Sequence, residues 1–316
     1  MLARLGEADA VGHRIVHGGE RVRRPVRLDD RVAGELEALT PLAPLHQPAA
    51  LAAVRAVGRA LPGVPAVACV DTAFHATLPR AAATYALPRA WRERHGLRRY
   101  GFHGLSHAYA ARRAAELVGG DAAALRVVTC HLGAGASLAA VRGGRSVDTT
   151  MGFTPTEGLV MATRPGSVDP GMLMWLVERG HDAGEVADAL EHDSGLRALA
   201  GSADMRDVLA RDDSDAALAR DVYLHRLRGL IAAMAAALGG LDALVFTGGV
   251  GERASAIRRG AADGLGFLGV AVDPERDAGA VPDADVTAAG AAGRTLVVAA
   301  REDLEMARQV RAVVGS

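Results

Sequence analysis

The chain contains no lysine and no asparagine; all 36 of its basic residues are arginine. Both missing residues have AT-rich codons, so a very GC-rich genome accounts for the pattern. Without lysine there can be no P-loop lysine, no Schiff base and no lysine general base. Any phosphate chemistry falls to arginine, histidine, backbone amides or metal. Cysteine is limited to Cys69 and Cys130, too few and too far apart for a disulfide framework or a cysteine zinc site. Each ends an apolar run, which reads as a buried free thiol in a reducing cytoplasm. No apolar run approaches the roughly 20 residues of a membrane helix, and the N-terminus lacks the apolar core of a secretory signal. The net charge of −1 gives no basic field, so neither nucleic acid nor membrane is an expected partner. H-E-x-x-H and G-x-S-x-G are absent too, which removes the simplest zinc-protease and serine-hydrolase readings.

What is present is a chain of 316 residues, half of them hydrophobic, enough for a large core and two domains. Strand-like runs cover 10–17, 64–70, 126–130, 137–141, 242–246 and 295–299. Helical patterns cover 29–39, 49–61, 107–118, 204–210 and 221–238, with a final helix after 299. Ser106 stands where it would cap the helix at 107, and Gly119-Gly120 where that helix would end. The acidic, alanine-rich stretch 273–292 reads as a loop or a poorly packed helix. Alternating strands and helices predict an α/β architecture.

Three glycine-rich turns follow strand-like runs: 131–137, 152–158 and 247–252. Glycine lets the backbone approach a phosphate closely, and successive N–H groups can cradle its oxygens. Gly133-Ala134-Gly135 is followed by a second strand, so it predicts a strand–turn–strand phosphate loop and not a Rossmann fingerprint. Isolated polar groups form a second signal. Arg14 sits inside a strand, where a solvated face, a core ion pair or a ligand contact are all open. Asp71 ends an apolar strand and reads equally as a helix cap or a functional acid. His103 lies between Gly101 and Gly104 just before a helix, where anions are favoured. Arg164 lies in a Pro/Gly-constrained loop, which suits an anion clamp because little entropy is lost on binding. Carboxylates serving a Mg²⁺-nucleotide fit this inventory better than any zinc site.

These segments together resemble the acetate kinase family, within the actin-like superfamily of sugar kinases and chaperone ATPases. The stretches that carry the resemblance are HRIVHGGE (13–20), PLAPLHQP (41–48), DTAFHATLP (71–79), YGFHGLSH (100–107), HLGAGAS (131–137), DTTMGFTPTEGL (148–159), TRPGSVDPG (163–171), VFTGGVGE (245–252) and REDLEMAR (301–308). The resemblance implies a two-domain actin-like fold: residues 1–72 with 303–316 in one domain, 73–302 in a nucleotide-binding one. It implies reversible phosphoryl transfer from ATP to acetate by an in-line step, with Mg²⁺ as cofactor, in a cytoplasmic homodimer. It assigns Asp71, His103 and Arg164 to catalysis, and Arg14, Val16, Leu45, His46, Phe102 and Pro155 to the substrate. His131, Leu132, Gly133, Ala134 and Gly135 would meet the nucleotide phosphates. Asp204, Met205, Arg206, Gly249, Val250, Gly251, Glu252 and Arg253 would hold the nucleoside, and Glu302 the metal.

The sequence departs from the family pattern in three respects. The opening strand–turn–strand with its serine-rich phosphate loop is not found ahead of residue 13, so the first domain is expected to be incomplete. Ala134 replaces an asparagine in the phosphate loop, and Arg253 and Arg301 stand where asparagine is usual. Two other readings follow: a propionate kinase, which shares most of these motifs, and a non-catalytic homologue acting as an interaction protein. An actin-like or chaperone-like ATPase leaves Arg14, Arg164 and YGFHGLSH unexplained.

Overall fold

The computed structural model of the protein describes residues 8–44 and 46–315. The chain separates into two compact units, one comprising residues up to 109 together with those from 301 on, the other residues 110–300.

In the first unit, strand β1 (Val11–Ile15) runs parallel to β3 (Ala66–Val70), with β2 (Val26–Arg27) antiparallel on the other side of β3. Alternation along β3 sends its side chains to two different layers. Ala68 and Val70 join Ile15, Val32, Leu36 and Leu51 under helices Asp30–Glu37 and Gln47–Ala60. Val67 and Cys69 turn the other way, toward Leu105 and the Met306, Val310 and Val313 face of helix Glu302–Val314. Gly12 permits that second layer, because a Cβ there would stand 2.9 Å from Val310 Cγ2. The register pairs Arg14 with Cys69, so the arginine that follows the buried His13 faces outward near the end of β3.

The second unit holds a six-stranded sheet in the order β6-β5-β4-β7-β9-β8. Its strands are β4 (Arg126–Leu132), β5 (Ala136–Arg142), β6 (Arg145–Thr149), β7 (Ala243–Thr247), β8 (Ala284–Asp285) and β9 (Arg294–Val297). Strands β4, β7 and β9 are parallel, while β5 folds back on β4 as an antiparallel hairpin partner. Helix Ser214–Leu238 lies on this sheet. It buries Ala216, Ala219, Tyr223, Leu227, Ile231, Met234, Ala235 and Leu238, a stripe at helical spacing. Asp213 caps its first turn through Ala216 N–H, and Gly239 in the left-handed region ends it.

Several elements differ from those expected from the sequence. The helix expected at 107 starts at Gly104, so Ser106 lies in its first turn and is not its cap. Glycine makes that early start possible: a Cβ on residue 104 would stand 1.9 Å from the Asp71 carbonyl oxygen. The helix expected at 221–238 begins seven residues earlier, because Asp213 provides the cap. The stretch 273–292 is ordered structure, with helix Pro274–Ala278, strand β8 and a bridge from Val272 to Thr287. It is tied down by the buried Asp277, whose carboxylate takes Arg258 Nε at 2.6 Å and Ser255 Oγ at 2.6 Å. Helices Pro170–Glu178, Ala183–His192, Gly195–Ala200 and Ser255–Asp263 were not anticipated. Cys69 and Cys130 are both free and buried, and burial pushes both thiols well above their ordinary pKa.

Candidate active site

In the first unit the site is built around Arg14 and Asp71. Asp71 opens the 3₁₀ turn Asp71–Thr77 that follows β3, and its side chain is 2% exposed. Arg14 donates from both Nε (3.1 Å) and Nη2 (2.9 Å) to Asp71 Oδ2. Leu105 N–H approaches the other carboxylate oxygen at 3.4 Å. Burial raises the Asp71 pKa, and Arg14 works against that rise. The guanidinium is correspondingly stabilised as a cation by Asp71. A strand arginine is thus held by two of its nitrogens while 41% of its side chain stays exposed. Its Nη1 lies 4.0 Å from Glu302 Oε1, at the start of helix Glu302–Val314.

His103 adopts φ 54°, a left-handed conformation that costs a non-glycine residue about 1–2 kcal/mol. Gly101 (φ 74°) precedes it and Gly104 follows, so the bend is made where the backbone tolerates it. The His103 carbonyl accepts from His107 N–H at 3.0 Å, which fixes the bend to the helix. Behind it, His75 Nε2 lies 3.0 Å from the Phe102 carbonyl, and burial pushes its imidazole down to about 4. His17 is likewise buried and held near 4. Its Nδ1 accepts from Gly19 N–H at 2.9 Å, and its ring meets Tyr100 and Phe102 edge-on. Both rings are therefore neutral supports. Val16 is partly buried, His46 is exposed just before helix Gln47–Ala60, and Phe102 is buried. Leu45 lies outside the described residues.

In the second unit, β4 and β5 are joined by Gly133-Ala134-Gly135, with Gly133 N–H donating to Gly135 O at 3.0 Å. Strand β7 passes directly into helix Gly248–Arg253. Gly248 takes φ 79°, and a Cβ there would stand 2.8 Å from the Leu132 carbonyl. Between these turns lies a cleft of about 500 Å³. It gathers Gly133 and Ala134, then Asp204, Met205 and Arg206, then Gly249, Val250 and Arg253. Ala162, Leu196, Leu209 and Tyr223 contribute to its apolar wall. Three sequence-distant groups of expected residues thus line one cavity. Asp204 caps helix Met205–Leu209 and pairs with Arg206, which holds its carboxyl down at about 2.

Other expected residues lie off that cleft. His131 and Leu132 end β4, and Gly135 closes the turn. Gly251 is buried against Phe246 and Cys130. Glu252 Oε1 accepts from Ala300 N–H at 2.9 Å. Arg164 is 13% exposed and donates from Nε to Glu191 Oε2 at 2.7 Å, and from Nη1 to the Pro155 carbonyl at 3.4 Å. Sequence reasoning missed Glu191, one acid among many on an unanticipated helix. It missed Arg258 as well, fully buried and donating to the carbonyls of Gly251 (2.9 Å) and Glu252 (2.8 Å). A lone arginine inside a helical pattern carries no signal of that kind.

Among the described residues no group of three or more histidines, cysteines or acids could hold a metal alone. Mg²⁺ is usually bound through one or two carboxylates together with substrate phosphates. Glu302, partly exposed beside Arg14, is a carboxylate of that kind. No helix among the described residues is long and apolar enough to cross a membrane.

The sequence profile described as the Acetokinase family matches residues 2–308. The acetate kinase of Gloeobacter violaceus is 50% identical over 318 residues, covering 98% of this chain and 78% of that protein. The acetate kinase of a Synechococcus species is 49% identical over 311 residues, covering 97% and 77%. Among solved structures, Porphyromonas gingivalis acetate kinase matches with a TM-score of 0.93 at 39% identity, over 99% of this chain and 80% of that one. A Francisella tularensis propionate kinase matches at 0.91 and 36%, over 96% and 79%. With a family match spanning nearly its whole length and relatives at half identity, the chain belongs to the acetokinase family.

Proposed function

We propose that the chain is a phosphotransferase acting on a carboxyl group: it transfers the γ-phosphoryl of ATP reversibly to acetate, giving acetyl phosphate and ADP in a direct in-line step. The observation that carries the reading is the Arg14–Asp71 pair, found in a chain half identical to acetate kinases. An acetate carboxylate is already ionised at neutral pH, so the nucleophile needs no general base. The obstacle is bringing two anions together, and compensating positive charge is the main catalytic lever in phosphoryl transfer.

Arg14 and Arg164 are assigned to the carboxylate and the transferring group, and His103 to the charge that develops between them. Asp71 acts by holding Arg14; both Arg14 bonds on one Asp71 oxygen support a positioning role over proton transfer. Val16, Leu45, His46, Phe102 and Pro155 are assigned to the substrate. The loop His131–Gly135 is assigned to the nucleotide phosphates. Asp204, Met205, Arg206 and residues 249–253 are assigned to the nucleoside, a reading supported by the cleft they line. Glu302 would hold Mg²⁺, which when bound neutralises phosphate charge. Cytoplasmic location is consistent with the two buried free thiols. A homodimer is supported by helix Pro170–Glu178, where Met172, Met174 and Trp175 are about half exposed.

Purified protein with ATP, Mg²⁺ and acetate tests the reading when acetyl phosphate is trapped as its hydroxamate. Acetate-dependent hydroxamate equal to the ADP formed is expected; ADP without hydroxamate, or neither product, contradicts it and favours a non-catalytic homologue. The likeness to a propionate kinase makes propionate the comparison substrate. One methylene is worth about 1–3 kcal/mol, so the two kcat/KM values separate the alternatives.

A further inference from the structure

Arg164 is one of several loop arginines, yet its guanidinium is held in one orientation by a residue far away in sequence. Helix Ala183–His192 is capped by Asp182 through Gly184 and Glu185 N–H. Glu191 lies in its last turn and meets two loops at once. Its Oε2 takes Arg164 Nε at 2.7 Å, its Oε1 takes Thr156 Oγ1 at 2.9 Å, and its backbone carbonyl takes Thr163 Oγ1 at 2.7 Å. The chain after the helix continues the same seam: Ser194 N–H donates to Thr163 O, and Leu196 and Arg197 N–H donate to Met161 and Ala162 O. Gly195 lets this approach happen, because a Cβ there would stand 2.2 Å from Met161 O. The Arg164 loop in turn reaches the phosphate loop, where Ala162 N–H donates to Ala134 O at 3.0 Å.

We propose that Glu191 is the positioning residue for Arg164, with Thr156 fixing the carboxylate so that it can act as one. A guanidinium carries five N–H donors in a rigid plane. Engaging Nε sets the orientation of that plane, and Nη2 has no protein partner among the described residues. Nη1 spends one of its two hydrogens on the Pro155 carbonyl at 3.4 Å, so Nη2 and the second Nη1 hydrogen are left to an anion, in the two-pronged geometry that arginine offers carboxylates and phosphates. The Thr156 hydroxyl occupies the second oxygen of Glu191, which stops the carboxylate from turning to take both prongs itself. Glu191 touches no reacting atom; it acts through Arg164. The inference rests on the reading of Arg164 as a ligand of the reacting groups.

The test compares Glu191→Ala, Glu191→Gln and Thr156→Val, with Glu191→Ala repeated in an Arg164→Lys background. A group displaced by about 1 Å can cost on the order of 100-fold in rate, so Glu191→Ala is expected to lower kcat by about 30- to 100-fold. KM for ATP should stay within about twofold, since the nucleotide cleft is not lined by Glu191. Glu191→Gln, which keeps the shape and can still accept from Nε, is expected to recover most of the loss. Thr156→Val should cost about 3- to 10-fold with little change in Tm. In the Arg164→Lys background, Glu191→Ala should cost less than about threefold, the non-additivity of two residues acting as one. A full independent loss in that background overturns the proposal, as does normal kcat in Glu191→Ala with only a lowered Tm. Arg164→Ala, measured alongside, separates the two layers. A near-normal rate there overturns the reading of Arg164 itself, whereas an inactive Arg164→Ala beside a normal Glu191→Ala overturns only the positioning role.

Discussion

His17 and His75 are buried, neutral imidazoles in the first unit, close to the charged Arg14–Asp71 pair in sequence. Each imidazole is buried and held near pKa 4, against 6.5 for an ordinary histidine. Depressed histidine values mean that the unfolded chain takes up these protons first as the pH falls. Stability is therefore full above 6.5 and is lost between 6.5 and 4, at up to about 1.4 kcal/mol per pH unit for each ring. Thermal melts from pH 7.5 to 4.5 should show Tm falling steeply through that window, and His75→Gln should flatten the slope. A Tm independent of pH down to 4.5 would contradict the neutral-support role. Neither histidine stands out in the sequence, where each is one of eleven. Arg14, Asp71 and His103 were legible as candidates, because an arginine in a strand, an acid at a strand end and a histidine between glycines break local patterns. What they do to one another was not legible: that Asp71 holds Arg14 depends on the β1–β3 register.

At the scale of elements, the turn that follows β7 is held from behind. Arg258 and Asp277, 2% and 0% exposed at their side chains, form a buried ion pair. Arg258 also grips the last two carbonyls before Arg253. Breaking one partner of such a pair leaves an unpaired buried charge, at a cost of about 3–5 kcal/mol. Asp277→Ala should therefore lower stability by that amount in urea melts and raise KM for ATP more than it lowers kcat. An unchanged urea midpoint would show that the pair is dispensable. Strands and glycine turns were readable because period-two alternation and Gly-Gly steps are local signals. The stretch 273–292 was not, since its order comes from Asp277 meeting Arg258 and Ser255 across the fold. Helix Pro170–Glu178 was missed for a different reason. It is apolar on a solvent-facing surface and lacks the amphipathic stripe that periodicity detects.

For the molecule as a whole, that same helix bears on assembly. Met174 and Trp175 are 58% and 52% exposed, a face that a second copy would cover. Sedimentation should give a dimer for the native chain and a monomer for Met174→Glu/Trp175→Glu; a native monomer would remove the assembly proposal. Fold class and family were readable because the motifs run in order from residue 13 to 308. The proposed division of roles in phosphoryl transfer rests on charge, and Arg14 tests it best. Steady-state acetyl phosphate formation by Arg14→Ala, compared with the native chain at saturating ATP, is the most direct measurement. Removing one preorganised donor at developing charge costs about 100- to 1000-fold in rate, and at least that loss is predicted for kcat. A kcat within threefold of native, with only KM for acetate raised, would mean that Arg14 holds substrate without offsetting the charge that develops in transfer, and would contradict the account.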